Sequence, residues 1–307
     1  MKIYTITLNP AYDVHAYAEH FAPFHENLAH ITSREAGGKG VNLSRALVNG
    51  GTDNTAVIVL GKDNCADFKA GLAEAGLNTL LLEKPGRIRE NLTLHCADAP
   101  ETRISFSGFP ADDSLLDEVA ALMDVDQDTV ITFTGRVASG MSMDKVKPFL
   151  KALQAKGARI VLDSKSFSLE DIYQVQPWLI KPNQEEVSEY LGCEINTIQE
   201  AREKAQVFAD HGVTNVMVSL GEQGAMLLHN GSCYVATPPT VNAISTIGAG
   251  DSSLAGFIAA AQSGCDAAGC LQTAVAYGTA ACMTEGSLPP LAKDIAAIRT
   301  QVALRQL

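Results

Sequence analysis

Short apolar runs alternate with amphipathic segments along most of this chain. The apolar runs have the length of buried strands and predict strands at residues 3–8, 55–60, 129–133, 159–162, 178–180 and 216–220. The segments between them show helical spacing and predict helices at 41–48, 66–75, 115–123, 146–156, 186–191 and 201–209. Beyond residue 241 we expect helices at 250–263, 265–283 and 293–304. This alternation predicts an α/β fold whose mostly parallel sheet is covered by helices on both faces.

Two stretches, about 11–36 and 91–107, break the alternation. The first is polar and rich in histidine, and the second alternates apolar and polar residues. Both patterns indicate partly exposed strands, which we expect to form a small lid over a cleft. The alternative is an antiparallel extension of the main sheet. Because no repeat or linker divides the sequence, we expect residues 1–307 to form a single domain with this lid.

Composition and charge exclude several classes of partner. A hydrophobic content of 46% in 307 residues is enough for a sizeable core, and the formal net charge of -12 repels nucleic acid and anionic membranes. No segment has the pattern of a membrane span. The seven cysteines are odd in number and lack C-x-x-C spacing, which argues against a disulfide framework or a zinc site. With no signal-peptide pattern at the N-terminus, we expect a cytoplasmic protein.

The strongest chemical signal is the run from Ser245 to Ser253, Ser-Thr-Ile-Gly-Ala-Gly-Asp-Ser-Ser, which opens an amphipathic helix. Gly248 and Gly250 permit a tight turn whose amides converge at a helix N-terminus, where an anion is favoured. A phosphoryl group in transfer is such an anion, and Asp251 can accept the proton of an attacking hydroxyl group. From the spacing alone, a glycine-rich turn with a helix-capping aspartate explains the run equally well.

A second glycine-rich run, Ala36-Gly37-Gly38-Lys39-Gly40-Val41-Asn42, precedes another predicted helix. Its backbone can approach a ligand closely, and Lys39 and Asn42 offer charge and hydrogen bonds. The run lacks both the P-loop pattern and the dinucleotide-binding pattern. By itself it is more readily explained as a structural turn.

Two further motifs lie where predicted strands end. In Lys181-Pro182-Asn183, followed by Glu186, the side chains of Asn183 and Glu186 are placed to bind Mg²⁺ directly or through water, although a simple helix start explains the run better without context. The segment from Ser219 to Gly224 is a tight turn between two apolar strands. It is either a simple hairpin or a turn that brings backbone close to a nucleotide.

Together, the four motifs resemble those of the ribokinase-like phosphofructokinase B (PfkB) family of sugar kinases, from Ile3 to about Leu291. The resemblance implies a three-layer α/β/α fold with ATP and Mg²⁺ as cofactors. It implies Asp251 as the catalytic base and backbone groups of Gly248, Ala249 and Gly250 around the transferring phosphoryl group. It also implies an adenine pocket near residues 280–286. It assigns Asn183 and Glu186 to Mg²⁺, bound through water. The residues that it assigns to the nucleotide are Lys181, Asn183, Ser219, Gly221, Gly224, Thr246 and Gly286.

The run Thr7-Leu8-Asn9-Pro10-Ala11-Tyr12-Asp13 resembles the branch of this family that acts on phosphorylated ketohexoses. The resemblance implies phosphorylation of fructose 1-phosphate to fructose 1,6-bisphosphate, with tagatose 6-phosphate or fructose 6-phosphate as alternative substrates. The residues expected to bind the sugar are Asp13, Gly38, Lys39, Asn42, Arg89 and Arg136, with Arg89 at the substrate phosphate. Three competing functions stay open at this point: a kinase for an unphosphorylated sugar or nucleoside, a non-catalytic regulator on a kinase scaffold, and a nicotinamide-dependent oxidoreductase.

The chain departs from this branch at several places. Gly135-Arg136-Val137-Ala138-Ser139-Gly140 stands where Gly-Ser-Leu-Pro-x-Gly is usual, and Asp163-Ser164-Lys165-Ser166 where Asp-Thr-Ser-Gly is usual. The departures add positive groups at Arg103, Arg136 and Lys165, and we expect Arg136 to point into the sugar-phosphate pocket. Because the lid strands have unpaired edges, we also expect a homodimer packed through the lids.

Overall fold

A computed structural model describes all 307 residues and contains two β-sheets. The strands of the ten-stranded main sheet are β1 (Lys2–Thr7), β4 (Thr55–Gly61), β5 (Thr79–Lys84), β8 (Thr129–Thr134), β9 (Arg159–Asp163), β10 (Leu179–Ile180), β11 (Asn215–Ser219), β12 (Ala225–His229), β13 (Ser232–Thr237) and β14 (Ala303–Gln306). The strands of the four-stranded second sheet are β2 (Ala11–Ala18), β3 (His30–Gly37), β6 (Arg89–Cys96) and β7 (Thr102–Ser105).

Ten α-helices accompany the sheets. Their bounds are α1 (Lys39–Asn49), α2 (Ala66–Glu74), α3 (Ser114–Ala121), α4 (Met143–Ala155), α5 (Leu169–Val175), α6 (Gln184–Leu191), α7 (Ile198–Asp210), α8 (Ala249–Gln262), α9 (Ala267–Ala281) and α10 (Ala292–Arg299). None of them combines the length and the apolar character that crossing a lipid bilayer requires. All seven cysteines are free thiols.

The main sheet reverses its strand order at one point, and this reversal places the cleft. Its seven parallel strands run in the order β5-β4-β1-β8-β9-β10-β11, and the antiparallel strands β12, β13 and β14 complete one edge. The order descends from β5 to β1 and then ascends from β8. Ligands of such sheets bind beyond the carboxyl ends of the strands where the order reverses.

Alternating side chains of the parallel strands face opposite layers of helices. Ile3 of β1 and its partner Val130 of β8 pack in one core with α8, α9 and α10. The next pair, Tyr4 and Ile131, packs in the other core with α3, α4 and α7. The three-layer α/β/α architecture that the hydrophobic pattern predicts is therefore confirmed.

The second sheet consists of the two stretches that break the helix–strand alternation. Strand β2 pairs parallel with β6 and antiparallel with β3, and none of the four strands joins the main sheet. On one face, Tyr12 and Val14 pack with Phe68 of α2, whose ring centroid lies 5.2 Å from that of Tyr12. Asp13 and His15 alternate with these residues, so they lie on the opposite face of β2.

The sequence prediction is wrong at the C-terminus and incomplete at three other places. The helix expected at 293–304 ends at Arg299, and Ala303–Gln306 forms β14 on the edge of β13. All four residues of β14 are exposed, so the sequence has no hydrophobic alternation that would predict this strand. The pairing with β13 selects its conformation. Strands β5 and β13 and helix α5 also lie outside the predicted elements.

The contact between α8 and α9 leaves no room for a side chain at Gly256. A Cβ atom there would lie 2.7 Å from the carbonyl oxygen of Thr273 and 2.8 Å from the ring of Tyr277. We expect Gly256→Ala to lower the free energy of unfolding by about 1–3 kcal/mol, because overpacking forces the helices apart.

Chemical denaturation measures this change, and Gly71→Ala in α2 is the matched control. A Cβ at Gly71 meets only the Cβ of Ala36, at 3.4 Å. Because alanine is the better helix former, this variant should be unchanged or more stable by up to about 1 kcal/mol. Equal stability of the two variants would contradict the close packing of α8 on α9.

Candidate active site

The N-terminus of α8 presents unpaired amides to the cleft. Gly248 takes the left-handed conformation, with φ at 76°, and the Ala249 amide donates to the carbonyl oxygen of Thr246 over 3.4 Å. The amides of Gly250 and Asp251 have no acceptor within the protein. The sequence motif predicts an anion-binding turn here. In the structure the amides of Gly248, Gly250 and Asp251 lack a protein acceptor, whereas the Ala249 amide is already engaged.

Asp251 lies buried beside this turn. The Asn42 side chain donates to Asp251 Oδ2 over 3.4 Å, whereas Oδ1 has no hydrogen-bond partner within the protein. Burial raises the pKa of Asp251 to about 6, with the nearby Lys39 charge opposing and the Asp163 charge adding to the shift. The side chain is therefore mostly ionised at neutral pH and has a free oxygen that can accept a proton.

A second buried carboxylate, Asp163 at the end of β9, holds two lysines. Its Oδ1 lies 2.9 Å from Lys39 Nζ and its Oδ2 3.4 Å from Lys181 Nζ. Burial alone would raise the pKa of Asp163, but the two ammonium groups outweigh it and hold the pKa below its usual value. Burial likewise opposes the charged form of Lys39, yet Asp163 and Asp251 keep its pKa raised. Lys39 is therefore held in its charged form.

Asp163 is not among the site residues that the sequence predicts. Its signal was its place at the carboxyl end of a buried strand, directly before one of the departures from the family pattern. Its partners come from distant segments, since Lys39 opens α1 and Lys181 follows β10. Only the folded structure shows that the Asp163 carboxylate pairs with both lysines.

Lys181 links this ion cluster to α8. A Cβ atom at Gly250 would lie 3.3 Å from Lys181 Nζ, so the ammonium group lies directly beside the first turn of the helix. The free amides, the two lysines and the Asp251 carboxylate thus share one small region. This arrangement suits an incoming anion that reacts next to a base.

Asn183 and Glu186 form a reciprocal capping box at the start of α6. The Glu186 amide donates to Asn183 Oδ1 over 2.7 Å, and the Asn183 amide donates to Glu186 Oε2 over 3.0 Å. The remaining oxygen, Glu186 Oε1, lies 3.4 Å from Lys165 Nζ. The helix-start explanation therefore holds structurally for this motif, whatever else the two residues do.

The donor set around Glu186 fits Mg²⁺ only as a water-mediated site. No group of three or more acidic, histidine or cysteine side chains could hold a metal ion directly. Asn183 Oδ1 and Glu186 Oε2 are both engaged in the cap. A Mg²⁺ ion here would therefore keep most of its waters and take its other ligands from a nucleotide, as Mg²⁺ commonly does.

The predicted nucleotide turn lies next to this cap. The Ser219 amide donates to the carbonyl oxygen of Pro182 over 3.0 Å, which joins the end of β11 to the Lys181 segment. Residues Gly221–Gln223 form one exposed 3₁₀ turn. Gly224 has φ at 92°, and a Cβ there would overlap the carbonyl oxygen of Ala236, so packing against β13 also demands this glycine.

Two other predicted nucleotide residues lie at the periphery of the cleft. Thr246 is exposed, and its carbonyl oxygen caps the turn before α8. Gly286 follows α9 in a left-handed conformation, and a Cβ there would lie 3.1 Å from His15 Nε2 on the second sheet. The segment after α9 therefore touches the polar face of that sheet.

On the other side of the cleft, Asp13 is held under the second glycine run. A Cβ at Gly37 would overlap the Asp13 carboxylate, and Asn91 donates to Asp13 Oδ1 over 3.2 Å. Burial raises the pKa of Asp13, and the bond from Asn91 opposes that shift. Gly38, with φ at 109°, then turns the chain so that Lys39 enters the ion cluster. The second sheet and the base-containing region thus meet through one short loop.

Arg89 and Arg136 bring positive charge to this side. Burial lowers the pKa of the Arg89 guanidinium, Asp13 opposes this, and the charge of Arg136 adds to it. Arg89 donates to the carbonyl oxygen of Phe106 over 3.2 Å, but its buried Nε has no partner. A half-buried guanidinium group with a spare donor favours a bound anion such as a phosphate.

Unsatisfied buried polar atoms surround the same space. Arg89 Nε, Asn42 Oδ1 and Asn91 Oδ1 are all buried without a hydrogen-bond partner in the protein. Leaving such atoms unpaired costs free energy, and a ligand that carries hydroxyl groups would satisfy them. The cleft therefore suits a polyol with an anionic group at one end.

Comparisons with known proteins agree with this geometry. Residues 6–294 match the model of the pfkB family carbohydrate kinases. The 1-phosphofructokinase of Escherichia coli K12 is 32% identical over 262 residues, which cover 84% of this chain and 83% of that protein. The 1-phosphofructokinase of Bacillus subtilis 168 is 31% identical over 84% of both chains. The crystal structure of phosphofructokinase-2 from Escherichia coli in complex with substrates and products aligns with a TM-score of 0.92 at 25% identity, covering 98% of this chain and 99% of that one.

Proposed function

The chain belongs to the PfkB family of carbohydrate kinases, and we propose that it transfers the terminal phosphoryl group of ATP to a hydroxyl of fructose 1-phosphate. One observation carries the proposal: a buried carboxylate, Asp251, lies at the same helix N-terminus as two free amides. A kinase needs a base for the attacking hydroxyl and donors for the transferring phosphoryl group, and this turn supplies both.

In the proposed reaction Asp251 Oδ1 takes the proton of the attacking hydroxyl, because Oδ2 is engaged with Asn42. The amides of Gly250 and Asp251 then donate to the negative charge that develops beside them. ATP would supply the phosphoryl group and Mg²⁺ would neutralise part of its charge when both are bound. Lys181, next to Gly250, holds a fixed positive charge at the same point.

The nucleotide side of the proposed site consists of the segments that converge on Pro182 and Ser219. Asn183 and Glu186 would arrange a hydrated Mg²⁺, and the turn containing Gly221 and Gly224 would lie under the nucleotide. Thr246 and the segment ending at Gly286 would border it. The hydrogen bond between Ser219 and Pro182 and the capping box support this proposal, since they fix these segments at one edge of the sheet.

The sugar side consists of Asp13, Gly38, Lys39 and Asn42, with Arg89 and Arg136 at the substrate phosphate. The unpaired atoms of Asn42 and Arg89 support sugar binding here. The second sheet would act as a lid that excludes water from the reacting phosphoryl group. A phosphorylated substrate is favoured over a free sugar because the unpaired donor of the Arg89 guanidinium suits an anion.

The choice of substrate can be tested with a coupled assay for ADP. We expect the highest kcat/KM with fructose 1-phosphate, lower values with fructose 6-phosphate and tagatose 6-phosphate, and the lowest value with fructose. We expect Arg136→Ala to raise KM for fructose 1-phosphate roughly tenfold or more, because a charge-assisted bond to the phosphate is lost.

Arg299→Ala, which removes an exposed arginine in the last turn of α10, is the control and should leave KM unchanged. The KM for fructose should not respond to Arg136→Ala, since fructose carries no phosphate. An unchanged KM for fructose 1-phosphate in Arg136→Ala would exclude Arg136 from the phosphate site. If no sugar yields ADP, the kinase proposal fails.

The catalytic base can be tested with Asp251→Asn. Because asparagine cannot accept the proton, we expect kcat to fall roughly 10²- to 10⁴-fold while ATP affinity changes little. Steady-state kinetics and equilibrium binding of a non-hydrolysable ATP analogue separate the two effects. Asp294→Asn is a matched control, because Asp294 is likewise the third residue of a helix, α10, and should leave kcat unchanged. Near-normal turnover of Asp251→Asn would refute the assignment.

We also propose a homodimer that packs through the second sheets. Three large apolar side chains on or next to β3 are strongly exposed, namely Phe24 at 104%, Leu28 at 93% and Ile31 at 66%. Strand β3 is itself an unpaired edge, which favours association.

Light scattering should therefore give twice the chain mass of 32.5 kDa. Leu28→Glu should shift the protein towards the monomer, because a charge would be buried in the interface. Leu304→Glu, on the exposed strand β14, should leave the mass unchanged. A single monomeric species of the unmodified chain at working concentration would contradict the dimer.

A further inference from the structure

His15 is a buried histidine on the second sheet that the proposed reaction does not use. It lies on the same face of β2 as Asp13, and only 6% of it is exposed. The pairing of β2 with β3 is irregular at this residue, because Thr32 of β3 is an extra residue between the partners of His15 and Ala16. The Thr32 hydroxyl group donates to the carbonyl oxygen of His15 over 3.1 Å. Such bulges change the direction of a side chain and are frequent next to active sites.

The ring of His15 is oriented by a chain of two polar contacts. Its Nδ1 lies 3.0 Å from His95 Nε2, and His95 Nδ1 lies 3.5 Å from Glu101 Oε2. A carboxylate only accepts hydrogen bonds, so in a neutral His95 ring it favours the proton on Nδ1. His95 Nε2 is then the acceptor for the proton on His15 Nδ1. The lone pair of His15 Nε2 therefore faces away from this chain.

The charge state of His15 agrees with this orientation. Burial and the neighbouring His95 lower the pKa of His15, so its ring is neutral at neutral pH. The carboxylates of Asp13 on β2, Glu35 on β3 and Glu101 before β7 oppose this shift. A neutral, oriented ring can pack its Nε2 edge against backbone without introducing a charge.

That edge of the ring lies against the segment after α9. A Cβ atom at Gly286 would lie 3.1 Å from His15 Nε2 and 3.3 Å from its Cε1. Gly286 also has φ at 54°, in the left-handed region, so both its conformation and the nearby ring favour glycine. The His15 ring therefore sets the distance between the second sheet and this segment.

The next residue of the same segment lies against the anion-binding turn. A Cβ atom at Gly248 would lie 3.8 Å from the Cα of Ser287, which is 4% exposed. The Ser287 hydroxyl group is buried without a hydrogen-bond partner, so packing alone holds this side chain. Gly286 and Ser287 thus form a two-residue bridge that contacts His15 on one side and Gly248 on the other.

We propose that His15, oriented by His95, is a positioning residue that holds the anion-binding turn in place through this bridge. The inference rests on the proposed function only in its consequence for catalysis. Gly248 is the residue from which α8 and the candidate base Asp251 begin. The second sheet would then fix the position of the phosphoryl-binding amides without contacting the phosphoryl group.

Hydrogen–deuterium exchange of the ligand-free protein tests the bridge without any reaction. We expect His15→Ala to raise exchange roughly 3-fold or more in peptides covering residues 284–288 and 245–251, because the contact that holds both segments is lost. His20→Ala is the control, since His20 is exposed and pairs with Asp98 at the far end of the sheet, and it should leave these peptides unchanged. A rise confined to β2 and β6, or no rise, would overturn the proposal.

Two variants of His95 test how His15 is oriented. His95→Gln keeps a side-chain acceptor for His15 Nδ1, so exchange at 284–288 should match the unmodified chain. His95→Phe keeps a ring but loses the acceptor, so exchange at 284–288 should rise. Equal exchange in the two variants would contradict orientation by His95.

A double-mutant cycle tests the contact between His15 and Gly286. Gly286→Ala should raise exchange at 245–251 in the unmodified chain, because the new methyl group meets the His15 ring. The same substitution should have a smaller effect in His15→Ala, where the ring no longer occupies that space. Equal effects in both backgrounds would contradict the bridge.

Steady-state kinetics measure the consequence for catalysis. We expect His15→Ala to lower kcat roughly 10-fold, because a displaced turn misplaces the reacting groups, while KM for fructose 1-phosphate and for ATP changes less than about twofold. A raised KM for fructose 1-phosphate with unchanged kcat would contradict the proposal, since His15 would then bind the sugar. If the unmodified chain forms no ADP from any sugar, the proposed function fails, while hydrogen exchange still decides whether His15 holds the turn.

Discussion

The site depends on one buried interaction, the carboxylate of Asp163 between the ammonium groups of Lys39 and Lys181. Two like charges cannot share a buried space without an anion, and removing one member of such a cluster leaves an uncompensated charge. The three residues come from β9, from the start of α1 and from the segment after β10. Their ion pairs therefore fix the relative positions of the end of β9, the glycine-rich loop before α1 and the segment that leads into the cap of α6.

Charge balance also explains the division of the cleft. Around Gly250, the Lys181 ammonium group and free amides lie beside a carboxylate with a pKa of about 6. On the side of the second sheet, Arg89 Nε and the amide oxygens of Asn42 and Asn91 are buried without a hydrogen-bond partner. The acidic surface, with a formal net charge of -12, makes these local groups of positive charge necessary, because anionic substrates are otherwise repelled.

Much of the fold could be predicted because it rests on local periodicity. The predicted strands at 3–8 and 129–133 correspond to β1 and β8, and the predicted helix at 250–263 corresponds to α8. The family assignment, made from four motifs in order, is confirmed by the family match over residues 6–294. The roles of the individual site residues stay predictions. Strand β14 escaped prediction because four exposed residues carry no hydrophobic signal.

By itself, the sequence determined which residue types stand at strand ends and helix starts. It thereby determined the α/β class, the carboxylate at Asp251 and the ammonium group at Lys39. Only the tertiary structure decided which groups meet. It paired Asp163 with two distant lysines, left the amides of Gly250 and Asp251 free, and placed Lys165 over Glu186. The reason is physical: periodicity reports the burial of a side chain in its own element, whereas ion pairing and hydrogen-bond satisfaction depend on distances between elements.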